Sequence, residues 1–167
     1  MKNECMKGSA SRGFALLVAI IFMSVMLTFG LALGSLGYKQ KVLASSSLSS
    51  QYAFYVADAA LECILNADQQ QNLFAYPSDM SAPVPSMMCD NAAPISSSVN
   101  SHTLSNWIVS ARFSMDAGKH CADVMILKPA SLSDTTRLFA QGYDVPCDVV
   151  DNPSGARFAS RGINAHY

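Results

Sequence analysis

The sequence predicts an α+β fold: a long amino-terminal α-helix, apolar and then amphipathic, packed on a small antiparallel β-sheet. Three observations predict it. No charged side chain stands between Arg12 and Lys39. Residues 38–68 then run without a Pro or a Gly. From residue 104 onward, apolar residues alternate with polar ones in short runs separated by turn residues.

The uncharged run holds Phe14, Leu16, Leu17, Val18, Ile20, Ile21 and Phe22 in its first part, and its only polar side chains are Ser24, Thr28 and Ser35. About 20 apolar residues cross the hydrocarbon core of a bilayer as a helix, so residues 14–38 are read as transmembrane. Lys2, Lys7 and Arg12 stand before it against one acid, Glu4, and a basic flank of this kind stays cytoplasmic. A secretory signal has a shorter apolar region with a small-residue cleavage site after it. A lipoprotein signal would place its cysteine after the run, whereas Cys5 precedes it. Gly30 and Gly34 form a GxxxG pair followed by Gly37. Such glycines let helices approach closely in a bilayer, although glycine is also common in membrane helices generally.

Beyond the run, Lys39 and Lys41 suit lipid head groups. Leu48, Tyr52, Tyr55, Ala59 and Cys63 recur at helical spacing, with Val56 and Ala60 widening the stripe. The helix is therefore expected to continue through residues 39–67 with that stripe toward the sheet. Pro77, Pro83, Pro85 and Pro94 make residues 68–103 an irregular connection, in which Met80, Met87 and Met88 are read as partial core packing. Residues 104–167 are the sheet and its tail. Strands are expected at 104–115, with Trp107, Val109, Ala111 and Phe113 on one face; at 121–127, with Val124 and Ile126 opposed to Asp123 and Met125; and at 135–145, with Leu138 and Ala140 opposed to Arg137, Phe139 and Gln141. Asp116-Ala117-Gly118 turns the first pair, and the short links predict an antiparallel meander. A helix laid across such a sheet buries one of its faces.

Four cysteines follow the apolar run, Cys63, Cys89, Cys121 and Cys147, and four allow three connectivities. A hairpin formed by the second and third strands would centre near residue 134 and bring Cys121 opposite Cys147 at its open end. Cys63 lies on the apolar stripe, and a bond to Cys89 would tie the Pro-rich connection back onto the helix. The expected pairs are Cys63–Cys89 and Cys121–Cys147, each contributing about 3 kcal/mol less any native strain. No CxxC pair is present, so zinc is not expected.

The edge of the apolar run, Arg12-Gly13-Phe14-Ala15-Leu16-Leu17-Val18, resembles the class III leader of type IV prepilins. Ala53-Phe54-Tyr55-Val56-Ala57-Asp58-Ala59-Ala60-Leu61-Glu62 is similar to a stretch of PilX-type amino-terminal regions. The resemblance covers residues 8 to about 65 and is loose beyond. It implies that residues 1–13 are a leader, that a prepilin peptidase cuts between Gly13 and Phe14, and that the new amino terminus at Phe14 is methylated. It also implies partners: other pilin subunits through the apolar helix, the inner-membrane assembly machinery and membrane lipid. The head would lie outside the cytoplasm, on a single-pass anchor and then in a filament. Most pilins carry Glu at the fifth mature position; here that position is Val18. An unpaired buried carboxylate is costly, and some minor pilins and pseudopilins lack it, so the departure points to a minor subunit.

Charge and motifs narrow the remaining classes. The chain carries a formal charge of −1, and losing the basic leader makes it more acidic, which is no nucleic-acid footprint. There is no G-x-S-x-G elbow, P-loop or HExxH, so neither enzyme activity nor a cofactor is expected. His102 and His166 are read as exposed polar residues. Two function classes stand: a minor pilin or pseudopilin, and a single-pass anchored binding module that does not polymerise. Processing at Gly13 separates them.

Overall fold

The computed structural model describes residues 10–79, 81–131 and 133–167, with side chains from residue 13 on. Lys2, Glu4, Cys5, Lys7, the Arg12 side chain and Met80, invoked above, lie outside the described residues. The elements in order are α1 (Ala10–Gln69), β1 (Ser96–His102), β2 (Asn106–Met115), β3 (His120–Pro129), β4 (Arg137–Tyr143), α2 (Cys147–Asp151) and β5 (Ser160–His166). The chain divides into two units after Ser45.

In the first unit every described side chain is exposed. Here α1 is long and apolar enough to span a membrane. The hydroxyls of Ser24, Thr28 and Ser35 donate back to the carbonyls of Ile21, Val25 and Ala32 at 2.8–2.9 Å. Each polar side chain of the apolar run is thus satisfied by its own helix, as an environment without water requires.

The second unit is a helix on a five-stranded antiparallel sheet of order β1-β2-β3-β4-β5. The three expected strands are β2, β3 and β4, and their alternation sets the core. Trp107, Val109, Ala111 and Phe113 of β2, Val124 and Ile126 of β3, and Leu138 and Ala140 of β4 are all buried toward α1. The β2–β3 turn puts Asp116 and Ala117 at φ 50° and 52°, ahead of Gly118 at 92°.

Two strands correct the sequence reading. β1 lies inside residues 96–102, which were expected to be irregular, and β5 lies in the segment expected to be a tail. Both are edge strands with mostly exposed side chains. An edge strand half in solvent does not need the apolar alternation by which the inner strands are recognised. The connection is still anchored: Phe74 and Met87 are buried in the core, while Met88 is exposed.

The buried face of α1 is corrected in part: Val56 and Ala60 of the expected stripe are buried and Cys63 packs against the core, but the rest of the stripe is not. Leu48, Tyr52 and Tyr55 are 53%, 49% and 64% exposed, and Ala59 is exposed too. The face against the sheet is Ala53, Val56, Ala57, Ala60, Leu61, Ile64 and Ala67. The reason is steric. A Cβ on Gly142 of β4 would stand 2.2 Å from the Ala53 carbonyl oxygen and 2.4 Å from the Ala57 nitrogen. Close backbone approach needs the small residues inward, so the large tyrosines turn outward.

Candidate functional site

Gly13, Phe14 and Val18 stand together at the start of α1. Gly13 has no heavy atom within 4 Å of where a Cβ would lie, and Phe14 is 72% exposed. Phe14 and Val18 are four residues apart, one helical turn, and so share a face. Gly30, Gly34 and Gly37 have equally open space beside them. This unit offers a long helix with an exposed apolar surface, long enough to cross a membrane.

The four cysteines sit in the second unit at disulfide distance as Cys63–Cys89, with Cα atoms 5.8 Å apart, and Cys121–Cys147, with Cα atoms 4.8 Å apart. Cys121 lies on the face of β3 turned away from α1, and Cys147 opens α2. That cystine therefore pins α2 to the outer face of the sheet. Cys89 begins a two-residue turn through Asp90 and Asn91, both at positive φ, and exchanges backbone hydrogen bonds with Ala92. The Asp90 carboxylate then accepts from the Asp116 amide at 2.6 Å, joining the connection to the β2–β3 turn.

Two polar clusters went unread in the sequence. On the outer face, the Arg112 guanidinium grips Asp123 through Nε and a terminal nitrogen at 2.5 and 2.7 Å, and its other nitrogen reaches Asp151 of α2. The Tyr143 hydroxyl donates to Asp123 at 3.0 Å. Burial, then the Asp123 charge, pushes the Tyr143 hydroxyl up to about 12, and the Asp123 hydrogen bonds raise Arg112 above its ordinary value. The signal for this cluster was available: pairing the strands symmetrically about the Asp116–Lys119 turn sets Arg112 opposite Asp123.

On the inner face, Asp68 in the last turn of α1 is buried and accepts from Lys128 at 2.6 Å and from the Tyr167 hydroxyl. Lys128 also lies 5.7 Å from the centre of the Tyr167 ring. Burial, and then Asp68, raise the Tyr167 hydroxyl above the usual tyrosine range. Tyr167 exchanges backbone hydrogen bonds with Thr136, so this cluster fastens the end of the sheet to the end of the helix.

The histidines divide. His166 is exposed. His102 is not simply an exposed polar residue: it packs edge-on to Tyr76 at 5.4 Å and beside Trp107 at 6.2 Å, with both ring nitrogens buried and unbonded. His120 stacks on Tyr52 at 5.6 Å over a groove formed with Tyr55, Val56, Ala59 and Met115. Among the described residues no group of three or more His, Cys, Asp or Glu side chains is placed to hold a metal ion.

No protein-family model, curated protein or solved structure matches the chain.

Proposed function

We propose that the chain is a minor pilin or pseudopilin. Its helix inserts in the cytoplasmic membrane, a prepilin peptidase removes residues 1–13, and the mature subunit joins or primes a type IV pilus-like filament. The observation that carries this reading is the placement of Arg12-Gly13-Phe14 at the start of an apolar helix whose described side chains are all exposed through Leu48. Such a helix serves in two settings, first in lipid and then against the helices of other subunits. The cystine-bearing α+β head supports the reading by composition: disulfides persist in oxidising compartments, which matches a head outside the cytoplasm.

Val18 supports a minor rather than an abundant subunit. With no carboxylate at that position, the subunit brings nothing to neutralise a neighbour's amino terminus. It belongs where no such neighbour is present, at initiation or at a cap. The same residue also favours the second reading, an anchored extracytoplasmic binding module that never polymerises.

Quantitative mass spectrometry of sheared filaments tests the proposal. The chain is expected in the filament fraction, far below the dominant subunit. Its dominance there would refute the minor role, and its absence there, with the protein present in membranes, would favour the binding module.

A further inference from the structure

The two edges of the sheet are built differently. β1 is interrupted by a register shift between Val99 and Ser101, and a bulge of this kind spoils an edge for further pairing. β5 pairs with β4 without a shift from Ser160 to His166 and contains no proline. Its hydrogen-bonding phase is fixed at both ends. Tyr167 and Thr136 exchange both backbone bonds, and Asp144 donates to the Ala159 carbonyl. Opposed residues in an antiparallel pair alternate between bonded and unbonded, so Arg161, Ile163 and Ala165 turn their backbone groups toward β4. Ser160, Gly162, Asn164 and His166 turn theirs to the free edge, and all four are exposed.

Charge says what fits there. Residues 152–167 include Arg157, Arg161 and His166 and no acid, and Arg137 lies opposite His166 on β4. Among the described residues, Arg137 and Arg157 make no ion pair. Arg161 does not guard the edge, because its Nε donates to Ser50 of α1 at 2.8 Å. Beside the strand, Met125, Leu127 and Phe139 form an apolar floor rimmed by Arg137, Asn164 and His166. A second copy of β5 offers no acid to these cations, and neither does β1 of another copy.

We infer that the free edge of β5 is a docking site for an extended, acidic segment of a different protein, which adds as a sixth strand. Main-chain bonds to Gly162 and Asn164 hold it, as in other strand additions. Acidic side chains on its outer face meet Arg137 and His166, and the apolar ones between them alternate to the other face, beside Ile163 and Ala165 at the margin of the core. With no acid in either edge strand, a second copy gives Arg137 no counter-charge, which leaves the site to that partner.

Amide hydrogen exchange on the full chain in nanodiscs of neutral lipid tests this. The probes are two ten-residue peptides, one alternating Val and Glu and the other alternating Val and Lys. The acidic peptide is expected to slow exchange at Gly162 and Asn164 at least about tenfold, equivalent to about 1.4 kcal/mol, and to leave Ile163 and Ala165 unchanged. Asn164→Pro removes a donor that faces the free edge and no bond to β4, so it is expected to abolish that protection. Arg137→Glu with His166→Glu keeps the backbone and is expected to exchange the preference toward the lysine peptide. Protection by neither peptide or by both alike, or an unchanged preference in the charge-reversed protein, would overturn the inference.

Discussion

Gly142 of β4 and Ala53 of α1 meet backbone to backbone: a methyl group on Gly142 would lie 2.2 Å from the Ala53 carbonyl oxygen and 3.1 Å from the Ala57 Cα. No side-chain motion relieves such a contact, so helix and sheet would have to separate. In an ordinary strand, Gly→Ala gains roughly 0.5–1 kcal/mol. Here the sign reverses, and Gly142→Ala is expected to cost about 3 kcal/mol or more through overpacking. Urea unfolding of the variant measures this; wild-type stability would mean that α1 does not rest on β4 at Gly142.

The Asp68 carboxylate is buried, with Lys128 and Tyr167 as its partners. Removing the cation strands a charge in the core, and Lys128→Met is expected to destabilise the head by about 3–5 kcal/mol. Adding Asp68→Asn removes the stranded charge and should recover part of that loss. A double variant no more stable than Lys128→Met would show that the carboxylate is not held as an ion by Lys128.

Tyr143 makes the alkaline limb of stability informative. Its hydroxyl is pushed up to about 12 in the folded protein, against about 10 in an unfolded chain. Folding therefore favours the protonated form. That contribution is complete below about pH 10 and is lost as pH rises toward 12. Stability should fall over this window, and Tyr143→Phe should fall less steeply while retaining the similar loss due to Tyr167. Parallel curves for the two proteins would contradict the burial of the Tyr143 hydroxyl beside Asp123.

What the sequence made legible follows from burial. β2, β3 and β4 carry strong alternation because one of their faces forms the core, and their positions could be read from residues such as Trp107, Val109, Val124 and Leu138. β1, with Ser96, Ser97 and Ser98, and β5, with Arg161, Gly162 and Asn164, lie at edges and carry almost none. Helical periodicity located α1 but misplaced its buried face, because Tyr52 and Tyr55 outweigh Ala53 and Ala57 on any hydrophobic count. Close packing against Gly142 inverted that ranking. The Arg112–Asp123 pair was recoverable from the turn. Asp68 was not, since its partner Lys128 is 60 residues away and only the folded register joins them. Gly13, Phe14 and Val18 rest on a short motif, and under the proposed function its meaning lies in processing rather than in contacts.

The amino terminus of the protein purified from membranes tests the central claim most directly. Intact-mass analysis is expected to find a chain beginning at Phe14, heavier by one methyl group, and Gly13→Val should leave the unprocessed precursor in the membrane. Retention of residues 1–13 in the wild-type protein, or normal maturation of Gly13→Val, would contradict the assignment to the prepilin class.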